Sequence, residues 1–217
     1  MFTYIINEHR KVLRVLSHVN TCVMFENIIY LVLLNIIIYE MVGSTYLDFD
    51  KAQGKGMRLI RSGENPTFGL LIVCGVNLGL RISDLLELTF GELNQSEIDI
   101  KEKKTGKERT LSINENIQQA LHYFSDENKN FKAFRSRKGT TYSTQHVNRL
   151  MKQYFEGKHI SSHSLRKTFG RRVYDNNGKS EDALMYLSEL FNHTTMSLTR
   201  KYLGIRQQEL RDIYMNL

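Results

Sequence analysis

The chain has 217 residues, 41% of them hydrophobic and 24% charged, enough for one sizeable core and unlike a disordered or fibrous composition. Its formal charge is +7. Residues 1–42 hold three basic side chains (Arg10, Lys11, Arg14) and three acidic ones (Glu8, Glu26, Glu40), so the whole positive excess falls later in the chain, a balance suited to a polyanion such as DNA.

The first 42 residues read as an atypical apolar leader. Its run at 28–39 is broken only by Asn35. As a helix it would span about 18 Å, short of the roughly 30 Å hydrocarbon core of a bilayer. A helix or strand buried against protein is therefore the expectation, with no membrane partner. Met41 as an alternative start is a second reading. The only cysteines, Cys22 and Cys74, do not make a disulfide scaffold, and a reducing cytoplasm is the simpler setting. The histidines and cysteines show no metal-ligand spacing, so no metal site is expected.

From residue 43 onward the pattern is regular. Asn65-Pro66 starts a helix, because Asn can cap it and Pro at the first position lacks only an N–H that would be orphaned anyway. That helix runs to about Leu78, with Cys74 inside its apolar stretch, and Gly79 takes the left-handed stop. Arg81 follows, with Ser83 or Asp84 as the cap of a helix over 85–88. Ile98 and Ile100, then Leu111 and Ile113, alternate with polar residues and predict antiparallel strands joined by a turn at Lys104-Thr-Gly-Lys107. Further helices are predicted over 114–123, 143–155, 162–174, 181–191 and 207–215. A loop is predicted at 176–181.

Four short strings carry the chemistry: G-L-R-I-S-D-L-L-E-L at 79–88, K-T-G-K-E-R at 104–109, H-S-L-R at 163–166 and N-H-T-T-M-S-L-T-R-K-Y-L at 192–203. They supply cations, a proton-moving histidine and a tyrosine close to the end of the chain. Phosphoryl transfer without a metal needs such a set: a nucleophile, charge on the phosphoryl oxygens and a proton route to the leaving oxygen. Arg81, just past a glycine turn at the mouth of a helix, can turn its guanidinium outward toward an anion. His163 and Arg166 lie three apart and share one helix face, whereas Leu165, Phe169 and Val173 form an apolar stripe on another, which would leave the polar pair at the surface. Asn192, before His193, tolerates a left-handed turn.

Over residues 43–217 the chain resembles the tyrosine recombinases, or phage integrases. The resemblance implies a mainly α (α+β) catalytic domain with a small antiparallel three-stranded sheet. It implies a site-specific recombinase that cleaves and rejoins DNA through a covalent 3′-phosphotyrosine, needing neither metal nor nucleotide cofactor. It assigns catalytic roles to Arg81, Lys104, His163, Arg166, His193 and Tyr202, with Tyr202 as nucleophile and Tyr214 as its rival. Lys103, Lys107, Arg109, Arg135, Arg137 and Lys138 are the expected DNA-binding residues. The implied partners are double-stranded DNA and other recombinase protomers, and the implied setting is the bacterial cytoplasm, at the nucleoid. Residues 1–42 do not resemble the amino-terminal helical DNA-binding domain of that family. A DNA-binding regulator that no longer cuts, and a type IB topoisomerase-like strand-relaxing activity, are the alternatives.

Overall fold

Side-chain caps start most of the helices, and glycines at 63, 79 and 204 end three of them. The computed structural model describes residues 43–216, so the leader, with its apolar run at 28–39, lies outside the described residues. Helix α1 (Phe49–Ser62) starts where the Asp48 carboxylate accepts from the Lys51 N–H at 2.8 Å, and Gly63 ends it at φ 70°. Helix α2 (Pro66–Leu78) begins under the Asn65 side chain and stops at Gly79, φ 62°, both as the sequence predicts. Every residue of α2 from Phe68 to Leu78 is buried, which makes it the axle of the main core. It meets α1 backbone to backbone: a Cβ on Gly56 or on Gly69 would approach the carbonyl oxygen of the other glycine to within 2.9 Å or 2.6 Å.

A single turn, α3 (Ile82–Leu85), follows directly on Arg81. It replaces the helix expected at 85–88, because the Arg81 carbonyl already accepts from the Asp84 and Leu85 N–H groups. Helix α4 (Phe90–Leu93) is fixed by a capping box between Thr89 and Glu92. Strands β1 (Glu97–Lys101) and β2 (Glu108–Ser112) pair antiparallel, Glu97 opposite Ser112 and Lys101 opposite Glu108. The sheet has two strands among the described residues, not three. The segment that could have added a third makes only isolated bridges, Thr89 with Lys132 and Arg135 with Thr141. It turns back on itself at Gly139, where the Ser136 N–H donates to the Thr140 carbonyl.

Helices α5 (Glu115–Leu121), α6 (Thr144–Tyr154), α7 (Ser162–Asn176), α8 (Glu181–Phe191), α9 (Met196–Leu203) and α10 (Ile205–Met215) complete the order. All but α9 lie close to predicted helices, and caps by Asn114, Ser143, Ser161 and Ser180 explain why their starts were legible. Helix α1 was not predicted: its buried residues are Ala52, Gly56, Leu59 and Ile60, and two small residues leave a thin apolar signal. In α9 the apolar Met196 and Leu198 are exposed while Thr199 is buried, which scrambles the helical period. Among the described residues, no helix is long and apolar enough to cross a membrane.

A second core joins α7, α8 and α9 through Tyr174, Leu184, Leu187, Phe191 and Leu203. The expected stripe on α7 connects the two cores, Leu165 packing in the first and Phe169 and Val173 against the second. Gly75 lets α2 approach Leu165, and Gly170 lets α7 approach Phe191 and Leu203.

Gly79 is doubly constrained, since a side chain there would be left-handed and would enter the Phe169 ring. Gly63 shares the conformation but faces open space. Gly79→Ala is therefore expected to cost about 1–2 kcal/mol for its backbone and about 1–3 kcal/mol more for overpacking. Gly63→Ala should cost only the backbone share, and chemical denaturation of the two variants measures the difference.

Candidate active site

Four of the six residues expected to carry chemistry, Arg81, Arg166, His193 and Tyr202, meet around one aromatic side chain, Phe191, at the end of α8. The Arg166 guanidinium lies over its ring at 4.4 Å from the centroid. His193 and Tyr202 pack edge-on against the same ring at 5.6 Å and 5.4 Å, and against each other at 5.2 Å. Arg81 reaches the Phe191 carbonyl, donating from Nη2 at 3.1 Å. Arg81 and Tyr202 stand 121 positions apart in sequence, so the fold, and not local spacing, makes this cluster.

The last carbonyls of a helix lack intrahelical donors and carry its negative end. Here cations fill that need in order. Lys107 donates to the Glu189 carbonyl at 3.3 Å, Arg109 to the Leu190 carbonyl at 3.0 Å and Arg81 to the Phe191 carbonyl. Asn192 then turns the chain at φ 55° and ψ 50°, the left-handed turn that the sequence allows, and delivers His193 to the cluster.

Arg81 does not face outward. Its side chain is 18% exposed and its Nη1 bonds Glu102, which is 1% exposed and also pairs with Arg109 Nη2 at 3.3 Å. Burial by itself would raise the Glu102 pKa, but the Thr105 hydroxyl, Arg81 and Arg109 together hold it below the ordinary carboxylate value, so it stays ionised. Arg166 departs from expectation in the same direction. It is 4% exposed and donates to the Gly79 carbonyl at 2.8 Å, because α7 lies between the two cores and has no free face at that position. Burial, opposed by Tyr202, brings its pKa down to about 10, and it remains a cation at neutral pH.

His193 is oriented by a chain of single-proton donors. Ser188 Oγ donates to the Leu184 carbonyl at 2.7 Å, and lies 2.7 Å from Thr199 Oγ1, itself 2.9 Å from His193 Nδ1. Since Ser188 spends its one proton on a carbonyl, Thr199 must donate to Ser188 and accept from Nδ1–H. That ordering leaves Nε2 as the nitrogen that titrates. Burial, then Arg166 and Arg81, hold the His193 pKa below the ordinary value.

Tyr202 is docked in the cluster, with Lys167 Nζ 4.9 Å from its ring centroid. Burial raises its pKa, and Arg166 and Arg81 oppose that rise, Arg166 also as a hydrogen-bonding partner. His163 sits in the first turn of α7 with its ring at the surface. Desolvation by the surrounding protein, then Lys167, Arg166, Lys104 and Arg81, lower its pKa, which keeps it neutral and able to accept a proton at pH 7. Lys104 is exposed in the β1–β2 turn, and its charge reaches His163. Tyr214, the rival nucleophile, is 76% exposed on α10.

The expected DNA-binding residues divide into two groups. In the hairpin, Lys103 pairs with Glu87 at 2.6 Å, Lys107 caps α8, and Arg109 is 13% exposed and turned inward. In the later turn, Arg135 pairs with Glu127 at 3.0 Å and lies over Phe131, Arg137 donates to the Glu64 carbonyl, and Lys138 is exposed. Three residues of the cluster escaped the sequence reading. Lys167 follows Arg166 and lies one helical turn beyond His163, a spacing that could have shown it. Glu102 continues the inward parity of Ile98 and Ile100. For Phe191, nothing in the sequence separates a hub from an ordinary core aromatic.

Residues 69–209 match the family model described as the phage integrase family. The chain belongs to that family. It is 31% identical over 173 residues to the probable integrase/recombinase YoeC of Bacillus subtilis, a match covering 76% of this chain and 91% of that protein. It is 26% identical over 145 residues to the tyrosine recombinase XerC of Pelobacter propionicus, covering 63% of this chain and 47% of XerC, so it spans about half of that relative. Among solved structures, XerA recombinase superposes with a TM-score of 0.58 at 22% identity, over 81% of this chain and 65% of XerA. A lambda integrase dimer bound to a COC′ core site gives 0.56 at 17% identity, over 75% of this chain and 48% of that one. At those identities the two structures attest the fold.

Lys167 raises the cost of protonating His163, so removing its charge should reverse part of that shift. With Lys167→Met, the His163 midpoint in an NMR titration is expected to move up toward the ordinary histidine value of about 6.5, with His193 little affected. An unmoved His163 would place Lys167 outside the electrostatics of the site.

Proposed function

We propose that residues 43–217 form the catalytic domain of a tyrosine site-specific recombinase that cleaves and rejoins double-stranded DNA. The observation that carries this reading is the convergence of Arg81, Arg166, His193 and Tyr202 on Phe191. A phosphodiester seated there meets two guanidiniums, whose forked donors suit phosphoryl oxygens, with a phenol already beside them.

The chemistry follows from the groups present. The Tyr202 oxygen attacks phosphorus and gives up its proton, for which neutral His163 is the acceptor. The bond from phosphorus to the 5′-oxygen breaks, and Lys104 supplies that oxygen with a proton. Arg81 and Arg166 stabilise the charge that grows on the non-bridging oxygens, and His193 joins them once the seated phosphate favours its protonated form, with Nε2–H as the donor. The product is a 3′-phosphotyrosine and a free 5′-hydroxyl. Because the ester bond is exchanged rather than hydrolysed, a 5′-hydroxyl from a second strand can reverse the step with no nucleotide consumed. Burial of Tyr202 holds its proton in place against the pull of the arginines until a phosphate is seated and His163 takes the proton as the phenol oxygen bonds phosphorus, which guards against attack before DNA is seated.

Double-stranded DNA is the substrate, other protomers on the same DNA are the partners, and the reaction integrates or excises a mobile element. The setting is the bacterial cytoplasm, at the nucleoid. Exposed Lys103, Lys104, Arg137 and Lys138 supply phosphate contacts, which are salt-sensitive by nature.

A nicked duplex whose cleaved end diffuses away traps the covalent intermediate. Tyr202→Phe should yield no denaturant-resistant protein–DNA adduct while binding the duplex nearly as the unaltered chain does. Arg166→Ala should slow adduct formation about 10²- to 10³-fold, the loss typical of an oxyanion contact. Undiminished adduct from Tyr202→Phe would refute the assignment of the nucleophile.

A further inference from the structure

We infer that Glu102 is a positioning residue for strand cleavage: its carboxylate ties Arg81 to the turn that carries Lys104. This deepens the recombinase reading and rests on it. A buried carboxylate in a site built to receive phosphate needs a reason, because it weakens the attraction for the incoming anion and is itself costly to desolvate. Its contacts supply one.

The side chain reaches both catalytic elements at once. Oε2 accepts from Arg81 and from the Thr105 hydroxyl, the latter at 2.8 Å, while Oε1 pairs with Arg109. The Glu102 backbone closes the same turn from both sides. Its N–H donates to the Lys107 carbonyl at 2.9 Å and its carbonyl accepts from the Gly106 N–H at 2.8 Å. Lys104 therefore sits on a loop whose flanking residues 105, 106 and 107 are all bonded to Glu102. Arg81, 21 positions earlier, is bonded to the same carboxylate. Lys104 itself is exposed in the turn, so its position relative to the phosphate site depends on the turn and on what anchors it.

The neighbouring acid, Asp84, does not duplicate this role. It accepts from the Lys103 N–H at 3.1 Å and from the adjacent Ser83 hydroxyl, and so holds the start of the turn. Glu102 alone among the described acidic residues bonds both the Arg81 side chain and the turn beyond Lys104.

The test separates positioning from mere stability by changing the leaving group. In an ordinary duplex the bond from phosphorus to the 5′-oxygen breaks and that oxygen takes a proton from Lys104. If sulfur replaces that oxygen, the thiolate leaves without a proton and the placement of Lys104 ceases to matter. Cleavage rates of oxygen and sulfur substrates are measured with saturating full-length chain. A protein that is only less folded loses both rates by one factor. Glu102→Ala is expected to lose both, through Arg81, and to lose the oxygen rate about tenfold or more beyond the sulfur rate, as the loss of a placed general acid predicts. Lys104→Ala sets the full size of that preference.

Glu102→Gln keeps the volume and one acceptor, and should show the same preference to a smaller degree; it carries the test if Glu102→Ala does not fold. An unchanged ratio of the two rates in both variants, with Lys104→Ala showing the preference, overturns the inference and leaves the recombinase reading standing. Cleavage of neither substrate by the unaltered chain overturns both.

Discussion

Holding several cations together before their anion arrives is the constraint on which the site depends. Two unit charges ~6 Å apart repel by about 3 kcal/mol at an effective dielectric near 20, and Arg81, Arg109 and Arg166 all act on one another's surroundings. The fold offsets that repulsion locally. The last three carbonyls of α8 take one cation each, Gly79 takes Arg166, and Glu102 takes two arginines. Hydrogen bonds to charged groups contribute about 1.5–3 kcal/mol apiece, so these partners are of the size needed. The consequence is preorganisation: on the proposed mechanism, charge stands where a phosphate would need it, with no arginine left to be ordered at the moment of reaction.

The same arrangement gives α8 a role beyond packing. Its carbonyl end gathers the hairpin and Arg81, its last side chain gathers Arg166, His193 and Tyr202, and its left-handed exit at Asn192 sets His193 in place. Elements from both cores, together with the hairpin, thus share one short stretch, 189–193. Glycines at 75, 79 and 170 let α2, α7 and the second core approach closely enough for this to happen. Structure and chemistry are linked here through backbone carbonyls more than through side-chain pairs.

Much of this was legible in the sequence wherever the signal is local. Capping residues mark the starts of α2, α5, α6, α7 and α8, a glycine stop gave the end of α2, and alternation gave β1 and β2. Four motif strings gave Arg81, Arg166, His193 and Tyr202, though not Glu102, Lys167 or Phe191. What stayed hidden depends on tertiary packing. Arg81 and Arg166 were expected at the surface and turn inward, because burial with a carbonyl or carboxylate partner is invisible to helical periodicity. The third strand came from resemblance alone, and the segment that could have formed it folds on itself at Gly139. Helices α1 and α9 were missed because small residues and a buried threonine occupy positions where the period demands large apolar ones.

On the proposed mechanism one phosphate is held jointly by Arg81 and Arg166 beside Tyr202. A crystal structure of the full chain with a nicked duplex tests it most directly. A single backbone phosphate is expected within hydrogen-bonding distance of both guanidiniums, with the Tyr202 oxygen opposite the leaving 5′-oxygen or already bonded to phosphorus. A duplex seated with its nearest phosphate away from both arginines, and Tyr202 still packed on Phe191 and His193, would contradict it.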